Sequence, residues 1–290
     1  IVSTTMPSEV IDGTVPNEPC IQRGGRRGVK GIEDCLTLAI SVPPQPTQSK
    51  RPVLVYIHGG FLVEGTIQQD KLNYLALQAD AVVVSIQYRL NLFGFLQPPV
   101  PEIVPANRGL RDQMAALRWI QMNIGSFSGD ASQVTLWGQS AGARSVIALY
   151  QSPLSVGLFH RAIAMSPGYI PSMFQSNLSM VQETLGARCM QATGCTTLSC
   201  LQQMSAERLA KKCMFYMDPS AFVNEPNVFF SGYDGEVLRE PAREPLCSLS
   251  QVPNSHVPII LGAMAYEYRA FDLHMPASGF LERFFQDSWQ

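Results

Sequence analysis

The chain has 290 residues, 46% of them hydrophobic and 15% charged, and a formal net charge of −2. This composition supports a large buried core and excludes a disordered chain, while so balanced a charge gives no electrostatic footing for nucleic acid. No apolar run approaches the roughly 20 residues that a membrane-spanning helix needs.

Residues 1–34 are rich in Pro, Gly and charge and read as loop, with Arg23, Arg26, Arg27 and Lys30 as a solvated basic run. The start at Ile1 reads as that of a processed or partial chain. "CLTLAISV" (35–42) alternates apolar and polar residues like a half-exposed strand. "PVLVYIHGG" (52–60) and "AVVVSIQYRL" (81–90) are short runs dominated by β-branched residues that stop at polar or turn residues, as buried parallel strands do. In 107–127, Leu110, Met114, Leu117, Ile120 and Ile124 fall on one stripe at helical spacing. "QVTLW" (133–137) is the next strand and "AGARSVIALYQS" (141–152) the helix after it. "RAIAMS" (161–166) and "VPIILGA" (257–263) are further strands, and 172–250 between them reads as helical and irregular. Strands alternating with helices call for an α/β fold. Its mostly parallel sheet is wrapped by helices on both faces, with active residues at the carboxyl ends of strands.

The cysteines are Cys20, Cys35, Cys189, Cys195, Cys200, Cys213 and Cys247. None forms a C-x-x-C pair and no histidines stand at ligand spacing, so no metal site is expected. They are either buried thiols of a cytosolic protein or bridges of a secreted one with a cysteine left over. Asn177-Leu178-Ser179 is a glycosylation sequon, and with the cysteines it points to the secretory pathway.

The chemistry concentrates in two segments. Gly138, Ser140 and Gly142 form G-x-S-x-G between a strand and a helix. A serine nucleophile needs its hydroxyl raised above the sheet, and a tight strand-to-helix turn achieves this if small residues two positions away keep the arms from colliding. The helix amino terminus adds unpaired N–H groups beside the attacked carbonyl. The second segment, "YIHGGFLVEG" (56–65), follows a strand and carries the Gly59-Gly60 pair. Such glycines let backbone amides converge on a developing oxyanion.

The order of these segments, with others around them, resembles the type-B carboxylesterase/cholinesterase family of α/β-hydrolases. "IEDCLTLAI" is similar to the family's S-E-D-C-L-x-L-N segment, and "VVVSIQYRLNLFGFL" to its V-V-V-x-x-x-Y-R-L-x-x-x-G-F-L run. "NRGLRDQMAALRWIQMNIGSFSGDASQVTLWGQSAGA" follows the family pattern around the nucleophile almost position by position. "YDGEVL" and "PIILGAMAYEYRAF" resemble two later landmarks. The resemblance runs along nearly the whole chain and implies a single, partial domain over 1–290 with the α/β-hydrolase fold, incomplete on its carboxyl-terminal side. It implies Ser140 as nucleophile and Glu267 as the acidic triad member, with the backbone of Gly59, Gly60, Phe61 and Ala141 around the oxyanion. It also implies disulfides Cys20–Cys35 and Cys189–Cys200, with Cys195 as a competing partner and Cys213 free to join Cys247. The activity implied is that of a serine carboxylesterase forming an acyl-enzyme on a small-molecule ester, without metal or organic cofactor.

The histidine base has no counterpart. His58 belongs to the glycine loop, His160 and His256 precede strands, and His274 lies in no matching motif. The expectation is a fragment of a longer hydrolase that lacks the histidine loop. The alternative is a non-catalytic, cholinesterase-like adhesion or binding module, as in neuroligin-type relatives. Phe61 stands where the family has a third glycine, and Gln139 replaces the usual Glu before the serine. The Cys20–Cys35 loop lacks the tryptophan that holds choline and carries cations instead, so a general carboxylesterase is expected rather than an acetylcholine hydrolase.

Overall fold

The computed structural model describes residues 18–24, 28–45, 49–67, 69–167, 178, 182–214, 232–239 and 252–264. Near the amino terminus, β1 (Gln22–Gly24) and β2 (Gly28–Lys30) pair antiparallel. The basic segment expected to be loop therefore contains a hairpin; strands of three residues are too short for alternation to show in the sequence. The Cys20–Cys35 disulfide closes its base, with both cysteines buried.

The main sheet is built from β3 (Leu38–Ser41), β4 (Arg51–Ile57), β5 (Val82–Ile86), β6 (Gly129–Gln139), β7 (Arg161–Met165) and β8 (Ile259–Gly262). Its order is β3-β5-β4-β6-β7-β8, with β3 antiparallel to β5 and every other pair parallel. All five residues of β5 are buried, as a strand covered on both faces requires.

Helices cover both faces. On one side lie α3 (Arg108–Asn123) and α4 (Ala141–Gln151). The α3 stripe of Leu110, Met114, Leu117 and Ile120 is almost wholly excluded from solvent and joins Val53, Val55, Ile57 and Leu136 in one cluster. Each such side chain contributes roughly 2 kcal/mol of burial. On the other side α1 (Gln69–Ala79) sets Leu72 and Ala76 against Val83, Leu54 and Tyr56. This helix was not evident from the sequence, because exposed Tyr74 and Leu77 blur its apolar stripe. A short α2 (Asn91–Phe95) precedes α3.

Within 182–214 lie α5 (Ala187–Thr193), α6 (Leu198–Gln202) and α7 (Ala206–Cys213). Here the disulfide expectation is corrected. Cys189 pairs with Cys213, not Cys200, and Cys200 pairs with Cys195. Helices α5 and α7 pack together and bring Cys189 and Cys213 to a Cα separation of 4.9 Å. Gly194, in the left-handed region at φ 74°, turns the chain after α5 so that Cys195 meets the start of α6. Cys213 is thus not available to Cys247, which lies outside the described residues. Among the described residues no helix is long and apolar enough to cross a membrane.

The strand order places the site. The chain passes from β4 to β5 on one side and then returns to lay β6 on the other. The carboxyl ends of β4 and β6 flank this reversal, where open α/β sheets form a crevice.

Candidate active site

Ser140 sits directly after β6, with φ 55° and ψ −123°, a conformation that favours glycine. A serine held there costs on the order of 1–3 kcal/mol and persists only where its surroundings over-determine it. The bonds doing so are visible. The Ser140 N–H donates to the Met165 carbonyl at 3.0 Å, continuing the β6–β7 ladder, and the Ser140 carbonyl accepts the first helical bond from Arg144 N–H at 3.0 Å. The flanking glycines are required by contact. A methyl group on Gly138 would lie 2.4 Å from the Gly142 carbonyl carbon, and one on Gly142 would lie 2.1 Å from the Ile57 carbonyl oxygen. Ser140 is half-buried, while Ala141 behind it is buried at the first turn of α4.

The glycine loop stands beside it. Ile57 is in register with Gly138, so the residues that follow on β4 run alongside the elbow. A methyl group on Gly59 would come within 3.3 Å of the Ser140 Cβ and 2.8 Å of the Gln139 carbonyl oxygen. Three successive residues then take positive φ: Gly60 at 109°, Phe61 at 57° and Leu62 at 62°. The Gly60 carbonyl accepts N–H bonds from Val63 at 2.9 Å and Glu64 at 3.0 Å, folding the loop into a compact turn. Phe61, where a glycine was the expected residue, therefore keeps the left-handed backbone that a glycine would adopt more freely.

His58 is sealed under this loop. Its ring stacks on Tyr88 with centroids 4.5 Å apart, and its Nδ1–H donates to the Gly59 carbonyl at 2.9 Å. Burial holds its pKa down at about 4, so the imidazole is neutral at neutral pH. The Tyr88 hydroxyl donates to the His58 carbonyl at 2.8 Å. His160 lies at the amino end of β7, where its Nδ1 accepts from Val134 N–H. His256 is exposed and precedes β8. Both therefore stand at the end of the sheet opposite Ser140. Among the described residues no histidine hydrogen-bonds to Ser140. Glu267, Asn177 and His274 lie outside the described residues.

The structure also assigns work to residues the sequence reading had not singled out. Arg89 grips Asp112 of α3 through Nε and Nη2, both at 2.7 Å, and the buried Asp112 also accepts the Arg89 N–H. The partly buried Arg108 donates to the carbonyls of Leu92, Phe93, Leu96 and Pro105, closing the end of α2. Gln113 of α3 donates to Ser145 of α4 at 3.0 Å. Asn107 exchanges two bonds with the backbone of Gly232, and Arg111 reaches Glu236 at 2.7 Å, which ties the "YDGEVL" segment to the start of α3. Of these contacts, the Gln113–Ser145 bond reaches the helix that follows the elbow, and the others fix α2 and the start of α3. The signal for them was the density of buried-type polar residues in 87–91 and 107–113, without a spacing that names their partners.

The sequence pattern of the carboxylesterase family matches residues 5–288. Carboxylesterase 3B of Mus musculus is 37% identical over 237 residues, covering 81% of this chain and 39% of its own length. Carboxylesterase 3 of Homo sapiens is 34% identical over 275 residues, covering 92% and 45%. The crystal structure of the Geobacillus stearothermophilus carboxylesterase EST55 superposes with a TM-score of 0.73 at 31% identity, over 93% of this chain and 56% of its own. The chain thus spans less than half the length of these two curated relatives.

Proposed function

From the premise that this chain belongs to the carboxylesterase family and has its α/β-hydrolase fold, we propose that it forms the nucleophile-bearing part of a serine carboxylic-ester hydrolase. The observation that carries the reading is Ser140, held in a strained turn at the carboxyl end of β6 with Gly59 of the glycine loop against it.

In this reading the Ser140 hydroxyl attacks the ester carbonyl while a histidine base takes its proton. The carbonyl oxygen gathers negative charge where the loop amides and the Ala141 amide converge. Collapse expels the alkoxy group, which takes that proton from the imidazolium and leaves as the alcohol. The remaining acyl-enzyme is cleaved by a water that the histidine deprotonates in turn. Glu267 follows β8 and serves as the carboxylate that orients the imidazole. His58, His160 and His256 do not meet the requirements of the base, so it comes from outside the described residues.

Several features narrow the setting. The disulfides and the sequon at Asn177 support passage through the secretory pathway. The charged Cys20–Cys35 loop, lacking tryptophan, favours uncharged small-molecule esters over choline esters. Residues 1–290 are read as part of one domain. The strain retained at Ser140 argues against a purely adhesive role, which gains nothing from an upright hydroxyl.

The test is labelling of the full-length protein with a fluorophosphonate, followed by peptide mapping. Adduct on Ser140, lost in Ser140→Ala, and turnover of p-nitrophenyl esters are expected. An intact fold with Ser140 unmodified and no turnover would overturn the reading in favour of a binding module.

A further inference from the structure

We infer that Gln22 is a positioning residue for the oxyanion loop, and that the disulfide-anchored amino-terminal strand forms that loop's outer wall. The inference rests on the hydrolase reading for its catalytic consequence but on geometry alone for the clamp.

The Gln22 carboxamide grips Gly65 as a strand would grip its neighbour. Nε2 donates to the Gly65 carbonyl at 2.8 Å, and Oε1 accepts the Gly65 N–H at 3.0 Å. Nε2 also donates to the Cys20 carbonyl at 3.0 Å. The residue is only 2% exposed, so these bonds lack competition from water and leaving any of them unmade carries the full desolvation cost.

Gly65 is where the 58–65 loop closes on itself. Its φ is 129°, and a methyl group there would lie 2.2 Å from His58 Nδ1 and 2.5 Å from the Gly59 carbonyl oxygen. The two ends of the loop thus touch at Gly65, His58 and Gly59. A shift at Gly65 is passed directly to the backbone that faces Ser140. Between those ends, Gly60, Phe61 and Leu62 hold the left-handed conformation, which needs external restraint in the two non-glycine residues.

Two further straps cross the same gap. Asn91 Nδ2 donates to the Ile21 carbonyl at 2.8 Å and to that of Val63 at 3.4 Å, while the Asn91 N–H donates to Leu62 O at 2.7 Å. Gln87 Nε2 donates to the Glu18 carbonyl at 3.0 Å and to Thr66 Oγ1 at 3.3 Å. Segment 18–22 is therefore laced to 62–66 at three points, and Cys20–Cys35 fastens that segment to the approach to β3. Gln22 bonds both the donor and the acceptor of one loop residue.

The experiment compares full-length wild type with Gln22→Ala and Gln22→Met, the latter keeping the side-chain volume without its hydrogen bonds. Amide exchange across 58–66 reports the clamp, and ester kinetics with a trifluoromethyl ketone, which adds to the serine as an oxyanion, report catalysis. Both variants are expected to exchange faster at Gly65. They should lose about tenfold in kcat with KM changed less than twofold, and ketone affinity should fall in parallel with kcat/KM. Should Gln22→Ala not fold, Gln22→Met decides. Unchanged exchange, or a KM effect at constant kcat, would overturn the proposal. If wild type neither turns over esters nor binds the ketone, the hydrolase reading fails by itself, and the exchange data still decide whether Gln22 holds the loop.

Discussion

At the scale of single residues, the chain gives up stability at its proposed nucleophile. Ser140 occupies a backbone region that glycine enters freely and serine does not. Ser140→Gly relieves strain of about 1–3 kcal/mol, offset by about 0.5–1 kcal/mol of extra unfolded-state entropy, for a net gain near 1 kcal/mol. Urea denaturation should show a higher midpoint for Ser140→Gly together with complete loss of fluorophosphonate labelling. A midpoint at or below wild type would mean the turn is not strained. The neighbouring glycines allow no such exchange, since any side chain on Gly142 would strike the Ile57 carbonyl. That residue-level pattern was legible in G-x-S-x-G, because steric rules at a tight turn depend on the local chain alone. The roles of Gln22, Asn91 and Asp112 were not, because their partners lie tens of residues away.

Among the elements, α4 bears the greatest demand, since it starts at Ser140, the proposed nucleophile, and fixes its position. Its far end is secured from a distant segment. The buried Asn254 Nδ2 reaches the carbonyls of Leu149, Tyr150 and Ser152 at 3.1–3.3 Å and Ser155 Oγ at 3.1 Å, and the Tyr150 hydroxyl donates to the Val257 carbonyl at 2.9 Å. These bonds satisfy acceptors that a helix terminus leaves open. Asn254→Ala should therefore cost about 2 kcal/mol in urea unfolding, with the slope against denaturant unchanged. A loss below about 0.5 kcal/mol would show that water replaces the side chain without penalty. Elements with a strong pattern, such as the α3 stripe and the buried β5, were evident from the sequence. The β1–β2 hairpin and α1 were not, because one is too short and the other too mixed for periodicity to mark them.

For the molecule as a whole, cross-links supplement the core. Cys189–Cys213 closes a sequence separation of 24 and Cys195–Cys200 one of only 5. Loop-closure entropy assigns about 3 kcal/mol to the first and about 2 kcal/mol to the second. The double variant Cys189→Ala with Cys213→Ala should accordingly lower the urea midpoint more than Cys195→Ala with Cys200→Ala. The reverse ranking would show that packing around the bridges outweighs chain entropy.

The sequence by itself determined the alternation of strands and helices, the elbow at Ser140 and the glycine loop at 59–60, for each is written in spacing and residue size along a continuous stretch. Only the tertiary structure decided how the six described cysteines pair, which ends of the sheet His58, His160 and His256 occupy, and that Gln22 bonds the loop beside Ser140. Those outcomes turn on distances between segments remote in the chain, and such distances arise only when packing and strand order bring the segments together.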